Sequence, residues 1–89
     1  MKDVIIKKLS KEELEKEGVF SWPIWNKETS VFPWSYDSNE SCYFLEGEVT
    51  LKANGKEYHF GKGDFVTFPS GMQCEWNITK DVKKHYTFF

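Results

Sequence analysis

The sequence contains no arginine, two cysteines and a single glutamine. Without arginine, the chain has no planar guanidinium that could bind phosphate or carboxylate through two parallel hydrogen bonds. Any anionic ligand would have to meet lysine or backbone N–H groups. The twelve lysines are scattered and the formal net charge is −2, which argues against a surface that follows a nucleic-acid backbone. We therefore expect no nucleic-acid partner.

Long apolar runs are also missing. No segment approaches the roughly 20 apolar residues of a membrane-spanning helix, and the apolar run at residues 4–6 is far too short for a signal peptide. We expect a cytoplasmic protein with no membrane partner. Cys42 and Cys74 are too few for a disulfide framework and would be reduced in that compartment, so both are predicted to be free thiols.

Aromatic side chains, by contrast, are abundant and make up 18% of the chain. A chain of 89 residues is near the lower limit for burying a self-sufficient core. Large rings supply much of the buried area that such a chain needs. We expect one domain over residues 1–89, with a core that is largely aromatic.

One short helix is predicted near the N-terminus, over residues 11–17. Ser10 and Glu13 have the spacing of a capping box, and Gly18 stands where a helix often ends in a left-handed conformation. The body of this helix is charged on nearly every face. It is therefore predicted to lie on the surface and to pack through Leu14.

The remainder of the chain has a β pattern, in which aromatic or β-branched residues alternate with polar ones between turn signals. Asn54 and Gly55 predict a two-residue hairpin, because both tolerate the positive φ that a type I′ turn requires. Gly47 is interpreted as the apex of another hairpin. Residues 73–78 and 82–88 are predicted to be two separate strands. The expected fold class is all-β with one short N-terminal helix.

Two spaced motifs resemble the conserved motifs of the cupin superfamily. Glu40 is followed after six residues by Gly47, and Gly63 is followed after five residues by Pro69-Ser-Gly71. The resemblance covers roughly residues 32–78. It implies a cupin-type jelly-roll β-barrel with a pocket in its interior.

The metal ligands that the family carries are mostly replaced in this chain. The resemblance places the two first-motif histidines at Trp34 and Tyr36 and the second-motif histidine at Cys74, so only Glu40 keeps its type. Trp cannot bind a metal, and Tyr is a poor ligand for Mn²⁺ unless it is deprotonated. We expect no native metal cofactor. The alternative is Mn²⁺ or another divalent ion held by Glu40 and Cys74.

The flanking sequence narrows the resemblance. Residues 32–36, Trp76 and residues 82–86 are similar to the small single-domain cupins grouped with ureidoglycine aminohydrolase. That group implies an aromatic-lined cavity and, for some members, manganese-dependent hydrolysis of a ureido compound. Cupins commonly pair through exposed strands, and an edge strand at residues 4–6 would suit a homodimer.

Strand alternation selects candidate pocket residues without relying on the family. Trp34 and Tyr36 share one face of their strand, and Cys74 and Trp76 share one face of another. The rings either line a ligand cavity together with Tyr86 or fill the barrel. Cys74 is also interpreted as a small apolar filler of the core.

Lys84 alternates onto the apolar face of the last strand, whereas His85 alternates outward and is predicted to be exposed. An inward-facing lysine is costly to bury unless it is paired, and the same holds for Glu40. We therefore predict that Lys84 and Glu40 approach each other in the cavity, with a protein cation where the family holds a metal. The alternative is that Lys84 reaches the barrel mouth and its ammonium stays in water.

Two functions follow from these residues. The first is a small-molecule enzyme acting on a polar nitrogenous or sugar-like metabolite, with Glu40 as acid or base and Lys84 as an electrostatic stabiliser. The alternative is a non-catalytic ligand-binding or structural cupin that has lost its metal site.

Overall fold

The computed structural model describes residues 3–89, and its regular structure is almost entirely β. The helix α1 spans Lys11–Glu17 and is followed by a 3₁₀ turn at Val19–Ser21. The strands are β1 (Ile5–Lys7), β2 (Ile24–Lys27), β3 (Ser30–Ser35), β4 (Glu40–Ala53), β5 (Lys56–Gly61), β6 (Phe65–Phe68) and β7 (Gln73–Phe88). The predicted all-β class with one short helix is confirmed.

Strands β4 and β7 pair with each other along most of their length and run through both halves of the barrel. In one half the strand order is β1-β6-β4-β7-β2, and in the other β5 pairs with β4 while β3 pairs with β7. All of these pairings are antiparallel. The two halves enclose the larger apolar cluster, which includes Phe44, Leu51, Phe60, Val66, Phe68, Trp76 and Ile78. A smaller cluster of Leu14, Val19 and Phe65 holds the helix and the 3₁₀ turn.

The helix forms as its sequence signals predict. The Ser10 side chain accepts a hydrogen bond from the Glu13 backbone N–H, and the Glu13 carboxylate accepts one from the Ser10 N–H, which completes the capping box. Gly18 ends the helix in the left-handed conformation, and Leu14 is its buried residue. Among residues 3–89, no helix combines the length and apolar character needed to cross a membrane.

The two predicted glycine turns have different outcomes. Asn54 and Gly55 form the predicted hairpin between β4 and β5, with φ of 55° and 72°. Gly47, however, does not lie at a hairpin apex, so that prediction was wrong. It lies inside β4 with φ of 112°, where the register between β4 and β7 shifts. A bulge at this point lets one strand continue from the first half of the barrel into the second.

Two predictions about the last strand are also corrected. Residues 73–88 form one continuous strand, not two, because each part finds partners on both sides. His85 is on the outer face, as its alternation indicates, but it is buried. The Phe20 ring packs edge-on against it, and its Nδ1 lies 2.9 Å from the Trp22 carbonyl oxygen. Because a carbonyl only accepts hydrogen bonds, Nδ1 is the donor.

Candidate functional site

A cavity of about 240 Å³ opens into the barrel between β2, β3 and the end of β7. Its walls are almost entirely aromatic, and Trp34 stands at the rim with 48% of its surface exposed. The lining residues are Trp25, Phe32, Trp34, Tyr36, Glu40, Trp76, Lys84, Tyr86 and Phe88. The only carboxylate and the only amine among these lining residues belong to Glu40 and Lys84, which we call the floor pair.

The floor pair forms the predicted ion pair. Lys84 Nζ lies 3.3 Å from Glu40 Oε2, and the two side chains are only 5% and 6% exposed. The ammonium is also 3.3 Å from the sulfur of Cys42, which lies two residues beyond Glu40 on β4. The alternative, in which Lys84 extends to water at the barrel mouth, is thus excluded. Alternation along β7 directs Lys84 inward, and its antiparallel pairing with β4 brings it to the carboxylate.

Three aromatic rings also lie close to the ammonium. Lys84 Nζ lies 4.8 Å from the ring centroid of Trp25 and 4.8 Å from that of Trp76. The Phe44 ring is somewhat farther away, at 5.8 Å. At these distances the negative ring faces stabilise a desolvated cation, and they add to the attraction of the Glu40 carboxylate. The lysine is therefore held in a fixed position.

Two polar atoms of the lining residues have no hydrogen-bond partner within the described chain. They are the hydroxyl oxygen of Tyr36 and the indole nitrogen of Trp76, and both are buried. Burial raises the pKa of the Tyr36 hydroxyl strongly, and the Glu40 carboxylate raises it further. The Tyr36 side chain therefore stays neutral at physiological pH.

The structure brings most of the predicted site residues together, namely Trp34, Tyr36, Glu40, Trp76, Lys84 and Tyr86. Cys74 does not join them. Its register partners are Trp34 and Ala53, its thiol lies 3.5 Å from the Trp34 carbonyl oxygen, and it packs against the core. Burial raises the pKa of the Cys74 thiol to about 11. At neutral pH this thiol is therefore protonated and is a weak nucleophile.

Sequence reasoning missed Trp25, Cys42 and Phe88 as neighbours of the floor pair. Cys42 and Phe88 could have been found, because each lies at an even spacing from Glu40 or Lys84 on the same strand. Trp25 had no such signal. It reaches the cavity because β2 pairs with β7, with Trp25 opposite Lys84.

The donor set does not fit the divalent metal that the cupin resemblance implies. Within residues 3–89, no three His, Cys, Asp or Glu side chains converge as a metal site requires. The one family ligand that is kept, Glu40, is paired with an ammonium group. A divalent cation at this carboxylate would meet the positive charge of Lys84 at close range, which is unfavourable in a buried site.

The antiparallel barrel, with an inward glutamate of the first motif beneath an aromatic cavity, defines a cupin. The family model described as the EutQ-like cupin domain matches residues 14–86, so the chain belongs to that family.

Several known proteins are similar to the chain. It is 30% identical over 69 residues to the curated protein "Acetate kinase EutQ" of Escherichia coli, and the match covers 78% of the chain but only 28% of that longer protein. A crystal structure of a DUF861 family protein from Thermotoga maritima superposes with a TM-score of 0.96 at 49% identity, covering 98% of this chain and 100% of that one. A putative ethanolamine utilization protein Q from Salmonella typhimurium has the same fold, with a TM-score of 0.68 at 22% identity over 97% of this chain and 68% of that one.

Proposed function

We propose that this EutQ-like cupin domain binds a small, flat molecule in the cavity above the floor pair. The observation that carries the proposal is the position of Glu40 and Lys84. They are a buried ion pair at the bottom of a cavity whose walls are otherwise aromatic. A buried ion pair is costly to desolvate and is weak evidence for stability. Its location in a cavity with room for a small molecule favours a role in recognition.

The size of the cavity limits the ligand. A volume of about 240 Å³ is below the range of roughly 300–1,000 Å³ that is usual for drug-sized ligands. It corresponds to about eight water molecules at roughly 30 Å³ each. The cavity has room for a small metabolite but would enclose only part of a nucleotide. Aromatic walls such as Trp34 and Tyr86 would contact a planar face and supply most of the binding area.

We propose that Lys84 supplies the positive charge that a metal supplies in other cupins, so that ligand binding requires no added divalent ion. The support is the 3.3 Å separation of Lys84 Nζ and Glu40 Oε2 together with the aromatic rings around the ammonium. Metal analysis of protein purified without chelator tests this. A stoichiometric amount of Mn, Ni, Fe or Zn would contradict it.

A second candidate function is catalysis on a polar nitrogenous or sugar-like metabolite. A buried carboxylate within reach of a bound ligand can transfer a proton, and the neighbouring ammonium can stabilise negative charge that develops in a reaction. Glu40 would then be the acid or base, and Lys84 the stabiliser. The kinase name of the curated relative belongs to a protein of which the matched segment is 28%, and we do not assign that activity to this chain.

A thermal-shift screen followed by calorimetry tests the binding proposal, because a ligand that binds the folded state raises its apparent stability. Trp34→Ala is expected to lower the affinity for a ligand found in the screen about tenfold, or by about 1.4 kcal/mol. Val31→Ala is the matched control, since Val31 lies on β3 but is exposed away from the cavity. If both variants bind equally well, the ligand site is elsewhere. Incubation of a hit with protein, followed by product analysis, separates catalysis from binding.

We propose a cytoplasmic protein that binds neither nucleic acid nor membrane and forms a homodimer through the edge strand β1. Support for the homodimer comes from Ile5 and Ile6, which are 50% and 38% exposed on that strand. Light scattering tests it: Ile5→Lys should give a monomer, and a monomeric wild-type protein would contradict it.

A further inference from the structure

The two charges of the floor pair neutralise each other. From this we infer that the cavity selects a ligand with no net charge that carries a hydrogen-bond acceptor and a donor side by side, as a planar primary amide does. The inference rests on the proposed function, because it assumes that the cavity binds a ligand. It adds the chemical class of the group that contacts Glu40 and Lys84.

Within the described chain, the hydrogen bonds of the floor pair leave one N–H donor of Lys84 and part of the acceptor capacity of Glu40 unused. A lysine ammonium has three N–H donors. The Lys84 ammonium directs one to Glu40 Oε2 and one to Cys42 Sγ, each at 3.3 Å. Its third donor has no nitrogen, oxygen or sulfur acceptor within residues 3–89. The Glu40 carboxylate has about four lone-pair sites, so its contacts with Lys84 and with the Cys42 thiol leave acceptor capacity unused. The floor therefore presents a donor beside an acceptor.

An ionic ligand would be less favourable here than a neutral one. A carboxylate ligand would place a second negative charge beside Glu40, while Lys84 already compensates the first. A cationic ligand would meet the ammonium of Lys84, and the faces of Trp25 and Trp76 are already turned toward that ammonium. Either ligand would leave one uncompensated charge in a buried site, which is costly.

A primary amide can hydrogen-bond to both groups without adding charge. Its carbonyl oxygen can accept from the third N–H of Lys84, and its N–H can donate to an unused lone pair of the Glu40 carboxylate. Its flat body can then lie between the aromatic walls. Hydrogen bonds to charged groups are stronger than those between neutral groups, so the amide edge should dominate selectivity.

Benzamide, benzoate and benzamidinium test the inference, because they are nearly isosteric but carry charges of zero, minus one and plus one. Toluene is the control that has the ring but no polar group. By calorimetry at pH 7 and low salt, benzamide is expected to bind at least about tenfold more tightly than each of the other three. Equal or tighter binding of benzoate or benzamidinium would overturn the inference, as would toluene binding as well as benzamide.

The outcomes also separate this inference from the proposed function. If toluene binds and benzamide binds no more tightly, the cavity binds small molecules but the assigned chemistry is wrong. If none of the four compounds binds, and no compound of the wider screen does, the proposed function fails together with the inference.

Two variants test the role of the charges directly. Glu40→Gln leaves the Lys84 cation uncompensated, so the ratio of benzoate to benzamide affinity should rise at least about tenfold. Lys84→Met leaves the Glu40 carboxylate uncompensated, so the ratio of benzamidinium to benzamide affinity should rise at least about tenfold. Glu46→Gln is the matched control, because it makes the same chemical change at an exposed position of β4. Unchanged ratios in folded variants, as judged by circular dichroism, would contradict the inference. The wild-type series remains decisive if a variant does not fold.

Discussion

The ring of Tyr36 stacks on that of Phe68 in the core, with centroids 5.0 Å apart and planes inclined by 8°. This contact holds the Tyr36 hydroxyl in a buried position where it has no hydrogen-bond partner in the described structure. Leaving a buried polar group unpaired costs roughly 1–3 kcal/mol. The stacked ring therefore stabilises the folded state, whereas the unpaired hydroxyl destabilises it.

We expect Tyr36→Phe to raise the free energy of unfolding by about 1 kcal/mol, because the stacked ring stays and the unpaired hydroxyl is removed. Urea denaturation measures this change. Tyr86→Phe is the control, since Tyr86 is only partly buried and its hydroxyl is not among the unpaired buried atoms. A loss of stability in Tyr36→Phe would show that the hydroxyl has a favourable partner, such as a bound water.

The floor pair should give strongly non-additive stability effects. Glu40→Gln or Lys84→Met alone leaves a buried charge unpaired and should cost about 3–5 kcal/mol. The double variant removes both charges and should be clearly more stable than the sum of the two single losses predicts. Urea denaturation of the four proteins completes the cycle. An additive double variant would mean that the two charges do not interact.

The two histidines should differ in their contribution to stability. His85 is buried, contacts Phe20 and donates to the Trp22 carbonyl, so His85→Ala should lower the free energy of unfolding by about 1–3 kcal/mol. His59→Ala is the matched control, because His59 is exposed and its loss should stay within about 0.5 kcal/mol. Equal losses at both positions would contradict the burial of His85 beneath the 3₁₀ turn.

Gly47 and Gly55 both have positive φ, but they differ in the space around them. A Cβ at Gly47 would lie 2.8 Å from the Asp81 carbonyl oxygen and the Val82 Cα, whereas a Cβ at Gly55 would meet no atom within 4 Å. Gly55→Ala should therefore cost only the conformational strain of about 1–2 kcal/mol. Gly47→Ala adds a backbone clash and should cost clearly more, or prevent folding. Urea denaturation midpoints of the two variants, measured under the same conditions, test whether Gly47→Ala is the less stable. A Gly55→Ala variant as unstable as Gly47→Ala would contradict this.

The free thiols should make the protein less stable in alkaline solution. Burial raises the pKa of Cys74 from 9.0 to about 11, so the folded state holds its proton more tightly than the unfolded chain does. This contribution to stability is complete below pH 9 and is lost as the pH rises toward 11. Between pH 9 and pH 11, the free energy of unfolding should therefore fall less in Cys74→Ala than in the wild-type protein. An identical slope in both proteins would contradict the raised pKa.

Alkylation by iodoacetamide provides an independent measurement of the same thiols, because only the thiolate reacts. Burial also raises the pKa of Cys42, more strongly than that of Cys74. We expect Cys74 to react slowly at pH 8 and faster as the pH rises, and Cys42 to react only when the protein unfolds. Mass spectrometry of labelled peptides distinguishes the two sites. Rapid labelling of native Cys42 at pH 8 would contradict this expectation.

Some of the site could be predicted from local rules. The approach of Glu40 and Lys84 followed from strand alternation and from the cost of burying an unpaired charge. The Asn54-Gly55 hairpin followed from turn chemistry, which depends on neighbouring residues alone. The hairpin is determined over a few residues. The inward direction of each charged side chain is also local, although the contact between Glu40 and Lys84 further requires that β4 pairs with β7.

Other features depend on contacts between distant segments. A glycine suits both a tight turn and a bulge, and Gly47 forms a bulge only because β4 continues along β7. His85 alternates outward as predicted, but the 3₁₀ turn at Val19–Ser21 brings Phe20 over it. Trp25 reaches the ammonium of Lys84 through pairing of two strands that are far apart in sequence. No local pattern contains this information.

The shared strands β4 and β7, of 14 and 16 residues, have a mechanical consequence for the cavity. Because each belongs to both halves of the barrel, the halves cannot swing apart without breaking the longest ladder in the described chain. A ligand bound as we propose would therefore enter a nearly rigid cavity past the rim at Trp34, and the protein should recognise its shape without closing around it.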